Sequence, residues 1–410
     1  MIETEVAVVG AALKTSVARD ELIRQLSIVS RAASTRTTVQ VLGGILLRAE
    51  AGKLALAATD MEISLRSSLD AEVSSDGAVV VPGKLLVDIA RLLPGDEVSI
   101  EHLAGEGVAE IMSGAASYRI HTYNPEDFPR LPDPAGTEMV VIDADALLAT
   151  SAKVGRAASR DESRPVLTGI LVRFEGEGLI MAATDSYRLA VKETSLASSG
   201  PELDAIVPAR ALGELSRIAQ GASELQLGVQ ENQVLFASDG VLLTTRRIEG
   251  QFPNYRQLLP ESFEHELTLP REELLDVVRR VAVMAQRNAP LRLRFADGEL
   301  TVSAQTQDVG EGRETIPVPF DGEALEIGFN PDFLRDGIES ADGDELRLKL
   351  ISPLRPSVLQ GESDDFSYLI MPIRLAGEVP SIVSTGRFRR VRGKPANAEA
   401  GVASDALVAG

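Results

Sequence analysis

A chain of 410 residues, 44% hydrophobic and 25% charged, has a globular composition and room for two to four domains. No cysteine occurs, which excludes disulfides, thiolate zinc sites and cysteine nucleophiles. A formal net charge of -20 argues on average against nucleic-acid binding, so any such role needs a local basic face. The opening MIETEVAVVG lacks a secretory pattern and no run approaches eighteen apolar residues, so a cytoplasmic chain without membrane contact is expected.

In chain order, VARDELIRQLSIVSRAAS from Val17 spaces its apolar residues as a helix does. GGILLRAEAGKLALAATDMEISL from Gly43 reads as alternating strands joined by short glycine turns. VPGKLLVDIARLLPG from Val81 reads as a second helix with Pro82 in its first turn, and DFPRLP from Asp127 closes the unit. The order then recurs. DADALLATSAKVGRAAS from Asp143 is a helix, and TGILVRFEGEGLIMAATDSYRLAV from Thr168 falls on the segment from Gly43 at an offset of 125. VPARALGELSRIAQG from Val207 and QFPNYRQLLP from Gln251 follow at offsets of 126 and 124. A fainter third copy runs through REELLDVVRRVAVMAQ from Arg271, LRLRFADGELTVSAQT from Leu291 and FNPDFLRDGIE from Phe329, with Pro331 in the place of Pro82 and Pro208. Such self-similarity defines three copies of one α+β unit, with two helices packed on antiparallel sheet, at residues 1–130, 131–260 and 261–375.

Basic residues concentrate on the helices. Residues 16–36 carry Arg19, Arg24, Arg31 and Arg36 against Asp20 and Glu21. Segments 82–94, 143–160, 208–221 and 270–287 are each net positive by one, and only 330–342 is acidic, at -3. Lys84 and Arg210 share a place in the first two repeats, as do Arg91 and Arg217, whereas the third has Phe333 and Ser340 there. Solvated helix faces account for such residues one helix at a time. Their recurrence also suits a mildly basic surface that holds a duplex by its backbone, without base readout.

Catalytic motifs are lacking: there is no Walker A loop, no G-x-S-x-G elbow and no H-E-x-x-H. His102, His121 and His265 are scattered, and each is expected on an exposed strand or loop. Asp60 and Glu62 sit at strand spacing and could imitate a metal site, but the second repeat has Asp185 and Tyr187 there, so no metal, cofactor or enzymatic activity is expected.

The threefold unit, GILVRF…AATDSYRLAV, EGQFPNYRQLLP and the late YLIMPIRL together resemble the bacterial DNA polymerase III beta subunit, the sliding-clamp family, from about residue 10 to Leu375. The resemblance implies a clamp fold of three repeated domains. It implies a head-to-tail homodimeric ring around double-stranded DNA, sequence-independent and non-catalytic, that tethers the replicative polymerase. It also implies an ATP-dependent clamp loader, and a pocket between the middle and last domains where polymerase, loader and repair proteins dock a short apolar motif. Carried over residue by residue, the pocket comprises Leu167, Thr184, Ser186, Tyr187, Arg188, Leu189, Pro253, Leu258 and Ser357. It is completed by Leu369, Ile370, Met371, Pro372, Ile373, Arg374 and Leu375. Without the resemblance, plain core packing is the preferred reading of Leu167, Leu189, Met371 and Leu375. The family's DNA contacts fall on Arg36, Lys84, Arg91, Arg160, Arg164, Arg210 and Arg287. Asp161 and Gln257 depart from the pattern, each standing where some members have an uncharged polar or a basic residue respectively. Residues 376–410 extend past the family's usual end, read as disordered, and carry a basic run from Arg387 to Lys394 that is either an inert extension or a further contact to DNA or the pocket. A clamp-like copy with altered partners, or an enzyme using carboxylates on the sheet, are the competing readings.

Overall fold

The computed structural model describes residues 12–34, 37–286, 289–306 and 308–375. The predicted basic extension, Arg36 and Arg287 lie outside them. Residues up to Arg374 form one compact unit, and Leu375 begins the C-terminal one.

The first repeat runs β1 (Lys14–Ala18), α1 (Arg19–Val29), β2 (Gly44–Glu50), β3 (Lys53–Thr59), β4 (Ile63–Asp70), β5 (Glu72–Ser75), β6 (Gly77–Pro82), α2 (Gly83–Leu92), β7 (Glu97–Leu103), β8 (Val108–Ser113) and β9 (Ala116–His121). The second runs β10 (Met139–Asp143), α3 (Ala144–Gly155), a single turn α4 (Pro165–Thr168), β11 (Gly169–Glu175), β12 (Gly178–Thr184), β13 (Arg188–Ser195), β14 (Asp204–Pro208), α5 (Ala209–Ile218), β15 (Glu224–Val229), β16 (Gln233–Ser238) and β17 (Val241–Arg246). The third runs β18 (His265–Pro270), α6 (Arg271–Ala282), β19 (Leu291–Ala296), β20 (Glu299–Thr306), β21 (Gly310–Pro317), β22 (Leu325–Phe329), α7 (Pro331–Ser340), β23 (Glu345–Leu350), β24 (Ser357–Gln360) and β25 (Phe366–Ile370).

Each repeat divides its strands between two antiparallel sheets, and neighbouring repeats share a sheet. One eight-stranded sheet has the order β10-β15-β16-β17-β4-β3-β2-β6, and the other β14-β11-β12-β13-β25-β24-β23-β18. The joints are therefore strand pairs: Leu243 opposite Leu65 in β17–β4, and Leu189 opposite Leu369 in β13–β25. A five-stranded sheet ending in β9 and a four-stranded sheet ending in β21 complete the fold. Alternation along the strands points one face at α1–α7 and a continuous apolar core from Leu13 to Ile370. The other face carries small satellite clusters, one around Leu171, Leu189, Tyr255 and Leu369, and its first-repeat counterpart around Val80 and Phe128.

Local chemistry explains the element ends. The Asp143 carboxylate caps α3 by accepting from Ala146 N at 2.9 Å, and the Asn330 side chain caps α7 by accepting from Asp332 N and Phe333 N. Pro331 lies in the first turn of α7, but Pro82 and Pro208 close β6 and β14 and sit at the N-cap, because the strand pairing persists up to the helix start. At Gly44 and Gly169 a Cβ would run into Val80 or Ile206 across the sheet, so both repeats keep glycine there.

Another expectation fails. His102 is buried, 8% exposed, because β7 alternates Val98, Ile100 and His102 onto the core face. Burial pushes its imidazole pKa down, and Nδ1 has no hydrogen-bond partner among the described residues. His121 is exposed and His265 half-buried.

Candidate partner pocket and nucleic-acid face

The turn from β12 to β13 is built by side chains tied to their own backbone. The Asp185 carboxylate accepts from Tyr187 N and Arg188 N at 2.9 and 3.0 Å, and Thr184 Oγ1 donates to Arg188 O at 2.7 Å. Ser186 takes a left-handed φ of 78°, as Met61 does at 79° in the equivalent turn of the first repeat. The result is a rigid corner carrying Tyr187, and Met371 N donates to Tyr187 O at 2.9 Å just past the end of β25. Tyr187, Leu258 and Met371, all in the expected pocket, are 62%, 50% and 40% exposed. Leu167, Leu189, Leu369 and Ile370 are buried, and Leu189 and Leu369 pack with Tyr255 on the sheet face away from the helices. Pro253 is half-buried, and Tyr255 N donates to its carbonyl oxygen at 2.7 Å. Ser357 is fully buried and its hydroxyl has no partner among the described residues. Pro372 and Ile373 are half-buried, Ile373 N donating to Gly328 O at 2.7 Å, and Arg374 is exposed.

Arg188 behaves differently from its neighbours. Its guanidinium is buried at the joint, 3.0 Å from Asp185, 2.6 Å from Asp336 on α7 and 3.2 Å from the Tyr368 hydroxyl, with its carbon 4.2 Å from the centre of the Phe333 ring. Burial disfavours its charge, but the Tyr368 oxygen, the Asp336 hydrogen bond and the Asp185 carboxylate outweigh that and hold the cation. Burial likewise pushes the Tyr368 phenol up, so it stays protonated and donates to Phe333 O at 2.9 Å. Asp336 also meets Arg156 at 3.6 Å. Glu339, one turn along, takes Arg156 and Arg279, which hold its carboxyl below the usual range although burial opposes them. The acidic segment 330–342 is thus the counter-charge of α3 and α6. None of Asp185, Phe333, Asp336 or Tyr368 was expected at the site, though the -3 charge of one helix among positive ones was the available signal.

The basic residues lie on or beside the helices. Lys84, Arg91 and Arg160 are exposed, Arg91 reaching Ser27 Oγ at 3.4 Å. Arg164 donates to Ser186 Oγ at 3.1 Å and lies 3.4 Å from Asp161, so it touches the pocket corner. Arg210 pairs with Asp60 and lies 3.8 Å from Glu62, which answers what that carboxylate pair holds: a guanidinium from the next repeat. Burial, then the Asp60 charge, pushes the Glu62 carboxyl up. Elsewhere Arg24 pairs with Glu21, Arg31 and Arg217 with Glu214, and Arg280 with Glu314. Positive charge on the helices is therefore largely compensated on the spot. Among the described residues no group of three or more His, Cys, Asp or Glu could hold a metal, and no helix is long and apolar enough to cross a membrane.

Three repeats of this plan, joined through shared sheets, define a DNA clamp. Family models for the N-terminal, central and C-terminal domains of the DNA polymerase III beta subunit match residues 13–132, 141–254 and 256–374. The chain belongs to that family, the non-catalytic sliding-clamp subunit of the polymerase. It is 34% identical over 381 residues to the beta sliding clamp of Streptomyces coelicolor, covering 89% of this chain and all of that protein. Among solved structures it resembles the DNA polymerase sliding clamp of Bacillus subtilis, with a TM-score of 0.83 and 26% identity over 88% of this chain and 99% of that one. It also resembles a sliding clamp from Bartonella birtlesii bound to griselimycin, with a TM-score of 0.82 and 27% identity over 89% of this chain and 100% of that one.

Proposed function

We propose that two copies of this chain close head to tail into a cytoplasmic ring around double-stranded DNA, and that the joint between the second and third repeats receives apolar peptides of the replicative polymerase, the ATP-dependent clamp loader and repair proteins. The observation that carries the ring is the pair of free sheet ends. By repeat, β9 is the counterpart of β17 and β25, and β21 that of β4 and β13, yet β9 and β21 each end their sheet. Projecting the β17–β4 register onto them sets Arg119 opposite Glu311 and Tyr118 opposite Gly312, an opposite-charge pair beside a ring over a glycine. Helices support the same closure. Arg31–Glu214 and Arg156–Glu339 tie neighbouring repeats; the third counterpart of Arg31 and Arg156 is Val283, 78% exposed, and that of Glu214 is Asp88, between the exposed Leu85 and Leu92.

Lys84, Arg91, Arg160, Arg164 and Arg210 face DNA in this reading, together with Arg36 and Arg287. Arg164 and Arg210 already hold carboxylates, so at these two positions a phosphate replaces an existing partner at little cost, which suits sliding more than gripping. The tether raises the local concentration of a polymerase that has let go of the primer end. The pocket is the Tyr187 corner with Leu258 and Met371 at its rim and Leu167 and Leu189 beneath, an apolar cleft with few polar groups.

The test is retention on DNA of two topologies after loading with a clamp loader and ATP. Chains kept on a nicked circle and lost on its linearisation support encirclement; equal retention on both sinks the ring. Griselimycin, bound by the Bartonella clamp, probes the pocket: loss of its binding in Tyr187→Ala is expected.

A further inference from the structure

On the sheet face away from the helices, a cleft of about 470 Å³ opens between β11, β14 and the stretch from Arg247 to Arg256. We infer that this cleft is a separate docking site for an acidic, partly apolar segment of a partner protein. Its floor is apolar, made by Leu171, Ile206 and the Tyr255 ring. Its rim carries three guanidiniums, Arg173, Arg247 and Arg256, against one carboxylate, in a chain whose net charge is -20. That carboxylate, Asp204, is taken by Arg173 at 2.8 Å. Arg247 donates to the carbonyl oxygens of Glu231 and Asp204, both at 3.1 Å, and the exposed Arg256 leans over the Tyr255 ring with its carbon 5.8 Å from the ring centre. Two of the three cations, Arg247 and Arg256, therefore face the cleft without a carboxylate of their own among the described residues.

Tyr255 supplies the second observation. It is only 6% exposed, it lines the cleft, and its hydroxyl is buried without a hydrogen-bond partner among the described residues. A buried donor left unmade is costly, and a carboxylate entering between the arginines would satisfy it. An extended peptide is favoured over nucleic acid because the floor is apolar and the sheet ends here in β14, whose outer edge, among the described residues, meets a single bridge from Ile206 to Ile248. Alternating apolar and acidic side chains would meet floor and rim in turn. The size lies within the range of ordinary ligand sites. Pro253 belongs to both this cleft and the proposed pocket, so one partner could occupy both; the inference rests on the pocket reading for the class of partner, not for the site.

The probe is a fluorescein-labelled hexapeptide of alternating Glu and Leu, titrated by anisotropy onto the full chain at low salt. Its Lys–Leu counterpart and a single-stranded hexanucleotide are run in parallel. Expected are saturable binding of the acidic peptide alone, a loss of about tenfold in Arg256→Glu, and a loss of about threefold in Tyr255→Phe with an unchanged or raised unfolding midpoint. Failure of the acidic peptide to bind, equal binding of the basic peptide, tighter binding of the oligonucleotide, or indifference to both substitutions overturns the proposal. Griselimycin titrated alongside separates the two readings: if it fails to bind while the acidic peptide does, the pocket falls and the cleft stands.

Discussion

The Arg188–Asp336 pair couples the pocket corner to α7, and its removal can be followed quantitatively. In Asp336→Leu, Arg188 keeps Asp185 at 3.0 Å and the Tyr368 oxygen at 3.2 Å but loses the 2.6 Å contact across the joint. Breaking a fully buried pair costs about 3–5 kcal/mol; with one carboxylate retained and Asp336 18% exposed, about 2 kcal/mol is expected. Arg188→Met leaves Asp185 without its guanidinium and strips the cation from the Phe333 ring, while Asp336 still has Arg156 at 3.6 Å. That change should cost about 3 kcal/mol. The double variant replaces charge by apolar volume on both sides, so its cost should fall short of the sum by about 1–2 kcal/mol. Urea unfolding followed by far-ultraviolet circular dichroism measures all three. Strict additivity, or an Asp336→Leu cost under about 0.5 kcal/mol, would refute the coupling. Griselimycin affinity should also fall in Arg188→Met, since Tyr187 rides on the same turn.

Stability should drop as pH falls through the ordinary histidine range. His102 is held below its usual pKa of 6.5 by burial, so the unfolded chain takes up the proton first; the slope of the thermal midpoint between about pH 7 and 5 should flatten in His102→Gln. Val283→Asp should leave the far-ultraviolet spectrum unchanged, because the side chain is 78% exposed, yet weaken self-association by at least about tenfold in sedimentation equilibrium. A dimer indifferent to that change would count against the closure proposed here. Arg210→Gln should weaken binding to linear duplex and lower the salt slope of that binding by about one. Glu62→Gln, which removes one carboxylate beside Arg210, should strengthen it.

Much of this fold is legible in the residue order because each repeat restates the same local instructions. Alternation marks the strands, the period near four marks the helices, and the recurrence of T-D before a strand marks the corner of each joint. Three things are not legible. Sheet sharing depends on β17 meeting β4 and β13 meeting β25, contacts between segments far apart that no window of sequence contains. The burial of His102 follows from its place in the alternation of β7, yet a polar residue on a core face reads as exposed when it is taken alone. The partners of Arg188 come from a helix in another repeat, and only the sign of the 330–342 segment hints at them.

The joints also differ in kind. Where repeats meet within the chain, a shared sheet is reinforced by Arg–carboxylate pairs between helices, at Arg31–Glu214 and at Arg156–Glu339. At the free ends the corresponding arginine is Val283, and the neighbouring exposed residues on α2 are Leu85 and Leu92. A joint closed in the proposed way keeps the Arg119–Glu311 pair across its strands but lacks the ion pairs between helices that fix the internal two. If a ring of this chain is opened to admit DNA, the opening therefore falls between copies, because the internal joints would have to lose a continuous sheet, its core and their ion pairs together.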